Sequence, residues 1–205
     1  MSQLLNVHPE NPQRRLVQLA VDALQAGGLV VYPTDTTYAL GCHIGDKSAL
    51  ERIIALRRLH KSHQFTLACR DLSELGTYAR VDNSSYRLLK RATPGPFTFV
   101  LKATKEVPKR LVHVKRRTIG IRVPDHPIAM LLLEMMGEPI MTTTLRIPGA
   151  SEPYREAQDI YTDIGNRVDV VIDGGPCGVE VSTVVDLTGP QPEVVRAGIG
   201  ELDAI

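Results

Sequence analysis

Four short stretches carry residue types able to grip an anion or a polar ligand. In "VVYPTDTTYALG", residues 30–41, an apolar run stops at Pro33 and is followed by Thr34, Asp35, Thr36 and Thr37. Loops at strand ends of α/β sheets are where ligands usually bind, and these hydroxyls and amides suit a polar ligand. They suit equally a turn that bonds its own backbone. In "IRVPDHP", 121–127, Arg122 ends a strand-like run. Its guanidinium fits a bidentate hold on a carboxylate or phosphate, or an ordinary surface salt bridge. In "GVEVSTVVDLT", 178–188, Ser182 and Thr183 are neighbours on an expected strand, so at most one faces a given pocket. The fourth stretch, "RRLHKSH" at 57–63, sets five basic or imidazole side chains in seven positions. It reads as an anion site or as the solvated end of a helix, where cations are favoured by the dipole.

Other chemistries lack their residues. "GGPCG" has neither the spacing nor the following Lys of a P-loop, and GxGxxG is absent. His60 and His63 are three apart without a carboxylate or a third ligand, so no metal site is expected. No Ser-His-Asp or Cys-His order stands out. Cys42, Cys69 and Cys177 are far apart and form no CxxC, which points to reduced, buried thiols and a cytoplasmic protein. The N-terminus lacks the pattern of a signal peptide, and the most apolar run, "IAMLLLEMMG", is too short for a span and contains Glu134.

These stretches need elements to hold them. The 205 residues, 43% hydrophobic and 23% charged, suit one globular domain. A helix is expected over 11–28, capped by Asn11, with Pro12 in its first turn and Gly27-Gly28 at its end. A second runs over 46–59 with Asp46 as cap, and others cover 72–79, 83–92, 126–136 and 155–168. Strands are expected at 29–32, 65–69, 97–103, 118–123, 139–144, 169–173, 178–188 and 193–198. Helices alternate with strands early and strands cluster late, which predicts an α/β (α+β) domain around a twisted mixed sheet flanked by helices.

Net charge is +1, but it is unevenly spread. Residues 87–122 hold eleven Lys or Arg against Glu106 alone, whereas from 123 onward four basic residues face fourteen acidic ones. Such a split can place a basic face on a neutral molecule. Lys90, Arg91, Lys102, Lys115, Arg116 and Arg117 are its candidate phosphate contacts. Aromatics are only 4% of the chain, which disfavours stacking on single strands and leaves double-stranded RNA, read by shape and phosphate, as the nucleic acid such a face suits.

Taken together, "PTDTTYALG", "PGPFTFVL", "IRVPDHP", "DGG", "STVVDL" and "VVRAG" occur in the order seen in the YrdC/YciO family, over about residues 11 to 200. The chain resembles that family, and its YciO branch most. The resemblance implies one domain over 11–200, with a short extension before it and a tail after it, and a basic concave surface. It also implies an activity, threonylcarbamoyl-AMP synthesis from ATP with Mg²⁺, threonine and bicarbonate, for the threonylcarbamoyladenosine of tRNA. Family members are also described as binding double-stranded RNA. On that basis Arg57, Arg122 and Thr143 are the catalytic candidates. Thr36 and Ser182 would meet the amino acid, and Thr143, Ser182, Thr183 and Arg196 the nucleotide. Two positions depart from the synthases: Leu59 stands where a second cation is expected after Arg57, and Leu145 where an Asn is expected after Thr143. Arg58 is one position out, which on a helix turns it about 100° away. The resemblance therefore implies an ATP- and amino-acid-binding protein whose synthase activity is weakened or redirected, the alternative being a non-enzymatic binder of duplex RNA or tRNA.

Overall fold

The computed structural model describes residues 2–60, 63–201 and 203. In chain order its elements are β1 (Gln3–Asn6), α1 (Arg14–Gln25), β2 (Val30–Tyr32), β3 (Ala39–His43), α2 (Lys47–Arg57), β4 (Thr66–Ala68), α3 (Leu72–Tyr78), β5 (Ala79–Arg80), α4 (Asn83–Ala92), β6 (Phe97–Ala103), β7 (Thr118–Arg122), α5 (Pro127–Met136), β8 (Ile140–Thr144), α6 (Ala157–Ile164), β9 (Val170–Asp173), β10 (Thr183–Asp186) and β11 (Glu193–Arg196). The strands form one mixed sheet in the order β1-β9-β2-β3-β8-β4-β7-β6-β10-β11, with β5 attached to β6. Pairs β1·β9, β2·β9, β4·β7 and β6·β10 are parallel and the others antiparallel.

Helices cover both faces. On one, Val17, Val21 and Leu24 of α1 and Ile128, Leu132 and Met136 of α5 pack on Val30, Tyr32, Val170, Ile172 and Ile140 of the sheet. On the other, α2, α4 and α6 bring Leu50, Ile53, Leu89 and Ile160 onto Val31, Leu40, Met141, Phe99 and Val171. Each fully buried aliphatic side chain contributes roughly 1.5–3 kcal/mol, so these two seams carry most of the driving force.

Local signals place the helix ends that matter to the site. Asp46 accepts from the Ala49 amide at 2.8 Å and starts α2. At its end Arg58 takes a left-handed conformation, φ 48°, which lifts its side chain off the helical path and leaves Arg57 as the last helical cation. In α5, Pro127 occupies the first turn and His126 Nδ1 accepts from the Ile128 amide at 3.2 Å. The neutral tautomer that this bond requires is favoured because burial pushes the His126 imidazole below its ordinary value, against the pull of Asp35.

Several boundaries differ from expectation. Helix α1 starts at Arg14, after Asn11 and Pro12, with Gln13 in the cap position and no side-chain cap bond. Residues 3–6, expected outside the domain, add an edge strand to β9. Strand β3, Ala39–His43, is absent from the expected strands and begins at the end of the hydroxyl- and Gly-rich stretch 30–41. Its Gly41 lies where a Cβ would come 2.7 Å from Ile140, so the strand sits in a space only a glycine fits. In the long run 178–188, only Thr183–Asp186 is strand.

Candidate functional site

The face of the sheet that packs on α1 and α5 changes character along its strands. On β8, Ile140 lies under α5, while Thr142 and Thr144, two and four residues on, share that face by alternation and are polar. Tyr32 of β2, Thr66 of β4 and Arg122 of β7 follow the same polar strip. Beyond the reach of the two helices it forms the floor of a cleft of about 280 Å³. Thr34 and Thr37 from the loop after β2 line one wall, and Ser182, Val184, Val195 and Arg196 from the β10–β11 end line another. His63 and Gln64, just before β4, close a third side.

Most cleft side chains are already anchored to protein. Tyr32 Oη and Thr142 Oγ1 are 2.8 Å apart, and burial pushes the Tyr32 phenol up to about 12, so it stays protonated. Thr98 and Ser182 share a hydrogen bond of 2.9 Å. Arg196 donates to the Ser182 carbonyl at 2.8 Å and to the Ser182 hydroxyl at 3.2 Å. Burial, and then the charge of Arg122, pull the Arg196 guanidinium below its ordinary value. Arg122 donates through Nη2 to Asp35 Oδ1 at 2.6 Å, with both side chains nearly buried, 12% and 11% exposed.

The loop after β2 uses its hydroxyls unequally. Thr34 Oγ1 donates to the Thr37 carbonyl at 2.7 Å and accepts from the Thr36 amide at 3.2 Å. Thr36 is buried against Thr34, with the two hydroxyl oxygens 3.1 Å apart, and lies behind the lining rather than in it. One loop therefore does both things the sequence allows: backbone bonding fixes it, and Thr34 and Thr37 border the cleft.

Of the sequence candidates, Arg122, Thr143, Ser182 and Arg196 meet at this cleft. Arg57 stands behind it. Its Nη1 donates to the Thr143 hydroxyl at 2.6 Å and to the Thr144 carbonyl at 2.5 Å, and its Nε donates to the Arg146 carbonyl at 2.9 Å. It thus braces the end of β8, and burial, then Arg146, lower its pKa. Thr183 points elsewhere: its hydroxyl donates to the Gly200 carbonyl at 2.8 Å and accepts from the Gly198 amide at 3.0 Å. Leu145 is fully buried in the core beside α2, and Leu59 packs against that core, so both leucines serve as apolar filling.

The cluster 57–63 divides differently from a solvated helix end. Arg58 is exposed, and Lys61 lies outside the described residues. His63 lines the cleft with its ring edge-on to Phe65, centroids 5.3 Å apart. Burial, and then Arg57, push its imidazole below the ordinary value, so it is neutral at neutral pH. Sequence pattern had no means to find Asp35 as the partner of Arg122, 87 residues away.

The outer basic residues are built otherwise. Lys90 and Arg91 are exposed on α4, beside Arg87 and Pro192. Lys115 and Arg117 are exposed on the loop before β7. Arg116 is tied to Asp186, and Lys102 donates to the Arg116 carbonyl at 3.1 Å.

Among the described residues no group of three His, Cys, Asp or Glu gathers to hold a metal, and no helix is long and apolar enough to cross a membrane.

Comparison with known proteins agrees with this architecture. The model of the Sua5, YciO and YrdC family, described as telomere recombination, matches residues 22–198. A protein of Escherichia coli K12 described as "Uncharacterized protein YciO" is 52% identical over 98% of each chain. The crystal structure of E. coli YciO superposes with a TM-score of 0.96 at 51% identity, covering 100% of this chain and 99% of that one. The threonylcarbamoyl-AMP synthase of Pyrococcus abyssi is 30% identical over 97% of this chain, which spans 58% of that longer protein. The crystal structure of P. abyssi Sua5 complexed with L-threonine superposes with a TM-score of 0.88 at 29% identity, over 96% of this chain and 58% of that one.

Proposed function

We propose, for a chain that belongs to the Sua5, YciO and YrdC family, that the cleft binds ATP and a small amino acid and joins the amino acid's carbamate to AMP. The reaction class is nucleotidyl transfer. A carbamate, formed from the amine and bicarbonate with loss of water, attacks the α-phosphate through an oxygen, and pyrophosphate leaves. Two anions must be held together, so the site needs fixed cations and donors that do not reorganise as charge moves. The observation that carries the reading is the convergence of Arg122, Arg196, Ser182 and Thr143 on one cleft, with Arg196 held by neutral acceptors that leave its charge in place, Ser182 held by Thr98 and Arg196, and Thr143 held by Arg57.

In this reading Arg122 and Thr34 meet the amino acid, while Arg196 and Ser182 meet the nucleotide, with Thr143 between them. Thr36 and Thr183 support the loop and strand that present those groups, and Arg57 fixes Thr143 from behind. Mg²⁺ arrives with the nucleotide and neutralises part of the triphosphate charge. The leucines at 59 and 145 add no donor, and each missing bond to a charged ligand is worth about 1.5–3 kcal/mol. The expected rate is therefore on the order of a hundredfold or more below that of a fully equipped site.

The test is pyrophosphate release from ATP and bicarbonate with a panel of amino acids, compared between the wild type and Arg196→Ala. Faster release by the wild type with at least one amino acid supports the reading. Equal release with all of them refutes it. A second reading, duplex RNA or tRNA binding, is favoured by the exposed Lys90, Arg91, Lys115 and Arg117. It requires affinity to fall as salt rises, and affinity indifferent to salt contradicts it.

A further inference from the structure

The Arg122–Asp35 pair is a half-made one. A guanidinium and a carboxylate can meet through two parallel bonds, yet here a single bond joins Nη2 to Oδ1. Arg122 Nε and Asp35 Oδ2 are buried with no protein partner. Buried polar atoms without partners are costly and uncommon in folded proteins, so such a pair calls for an explanation. Arg122 lines the cleft together with a second guanidinium, Arg196, while Asp35 holds Arg122 from outside the lining. Asp35 is the carboxylate paired with Arg122: its charge also acts on His126 and Cys177, and neither of these is positively charged at neutral pH.

Resting on the ATP and amino-acid reading of the cleft, we infer that Asp35 is a specificity-determining residue. It cancels the charge of Arg122 so that this end of the cleft rejects polyanions and receives a ligand with no net charge. Without Asp35, Arg122 and Arg196 would form a doubly charged site that pyrophosphate or a triphosphate tail fills at either end. With it, the two ends differ. The Arg196 end attracts phosphate, and the Arg122 end offers a donor edge whose charge is already balanced, which suits the carboxylate of a zwitterionic amino acid.

The test is calorimetric titration of the full chain with inorganic pyrophosphate and, separately, with L-threonine, at fixed ionic strength. Asp35→Asn should bind pyrophosphate about tenfold more tightly, the effect of exposing a unit charge within a few ångströms. Asp35→Glu, which keeps the charge, should not. The double variant Asp35→Asn with Arg122→Gln exchanges a neutralised pair for a neutral one and spares the fold an unpaired charge. Its pyrophosphate affinity should stay within about twofold of the wild type. Asp35→Asn binding pyrophosphate no better than the wild type overturns the inference, and so does a tenfold loss in the double variant. The threonine titration judges the earlier reading separately: a wild type that gains pyrophosphate affinity on Asp35→Asn but binds no amino acid keeps the charge-selecting role and refutes the amino-acid assignment.

Discussion

Two sets of cations on this molecule look alike in composition and differ in construction. In and behind the cleft, Arg57, Arg122 and Arg196 are gathered from α2, β7 and β11, and each is fixed by protein acceptors. On the outer surface Lys90, Arg91, Lys115 and Arg117 are exposed, close together in sequence, and project into solvent. The outer set dominates any charge count along the chain. The cleft set is three arginines spread over 140 positions, the last of them, Arg196, in the stretch after residue 122 where acids outnumber bases. The comparison teaches that an ion site is marked by immobilised charge rather than by charge density, since fixed donors stabilise a developing charge without reorganising.

The largest break in this contrast is expected at Arg122. Arg122→Ala leaves Asp35 buried and unpaired, and loss of one partner of a buried pair costs about 3–5 kcal/mol. Denaturant unfolding should show that loss, whereas Lys115→Ala should stay within about 0.5 kcal/mol of the wild type. Leu145→Asn comes next. It removes a fully buried side chain and buries an amide, a cost of about 3 kcal/mol. Leu59→Arg at a half-buried position should cost less than about 1 kcal/mol. Together these two changes should raise pyrophosphate release when assayed well below the variant's melting midpoint; no gain would mean the cleft differs from a synthase beyond the two leucines.

A smaller effect sharpens the outer half. Arg116 is the exception there, paired with the nearly buried Asp186. Burial pushes the Asp186 carboxyl up, but bonds from Thr188 and Arg116 outweigh it and hold the value below that of a free aspartate. A depressed folded value means the pair's contribution is complete above the ordinary aspartate value, about 3.9, and is lost as pH falls through the lower folded one. Acid unfolding of Asp186→Asn should therefore show a flatter decline below about pH 4 than the wild type. The smallest expected change is at Lys90 and Arg91. Replacing both with Ala should leave stability unchanged and, if the outer face binds duplex RNA, lower the slope of log affinity against log salt by about 2.

The sequence was most readable where one residue dictates a local geometry. Asp46 and Pro127 mark helix starts because their capping and ring chemistry act within three residues. The order α/β alternation followed by clustered strands gave the sheet, since periodicity reports which face is buried. It failed at β3, whose Gly41 is required by close contact with Ile140 of β8, a demand that no local pattern records. The site divides the same way. Ser182 and Arg122 are legible as residues beside a cleft because strand alternation and strand ends are local features. Asp35 as the partner of Arg122, and His63 as a wall of the cleft, depend on tertiary contacts. Arg57 matched a motif by position, but only the fold reveals that its donors are engaged by the backbone of β8 and the residues after it.

In the proposed function, the cleft between Arg122 and Arg196 holds both substrates. A crystal structure of the protein with ATP, Mg²⁺ and L-threonine tests it most directly. Phosphate density is expected within hydrogen-bonding distance of Arg196 and Ser182, with the amino acid against Arg122. Nucleotide bound only on the outer basic face, or a cleft left empty at saturating ligand, would contradict it.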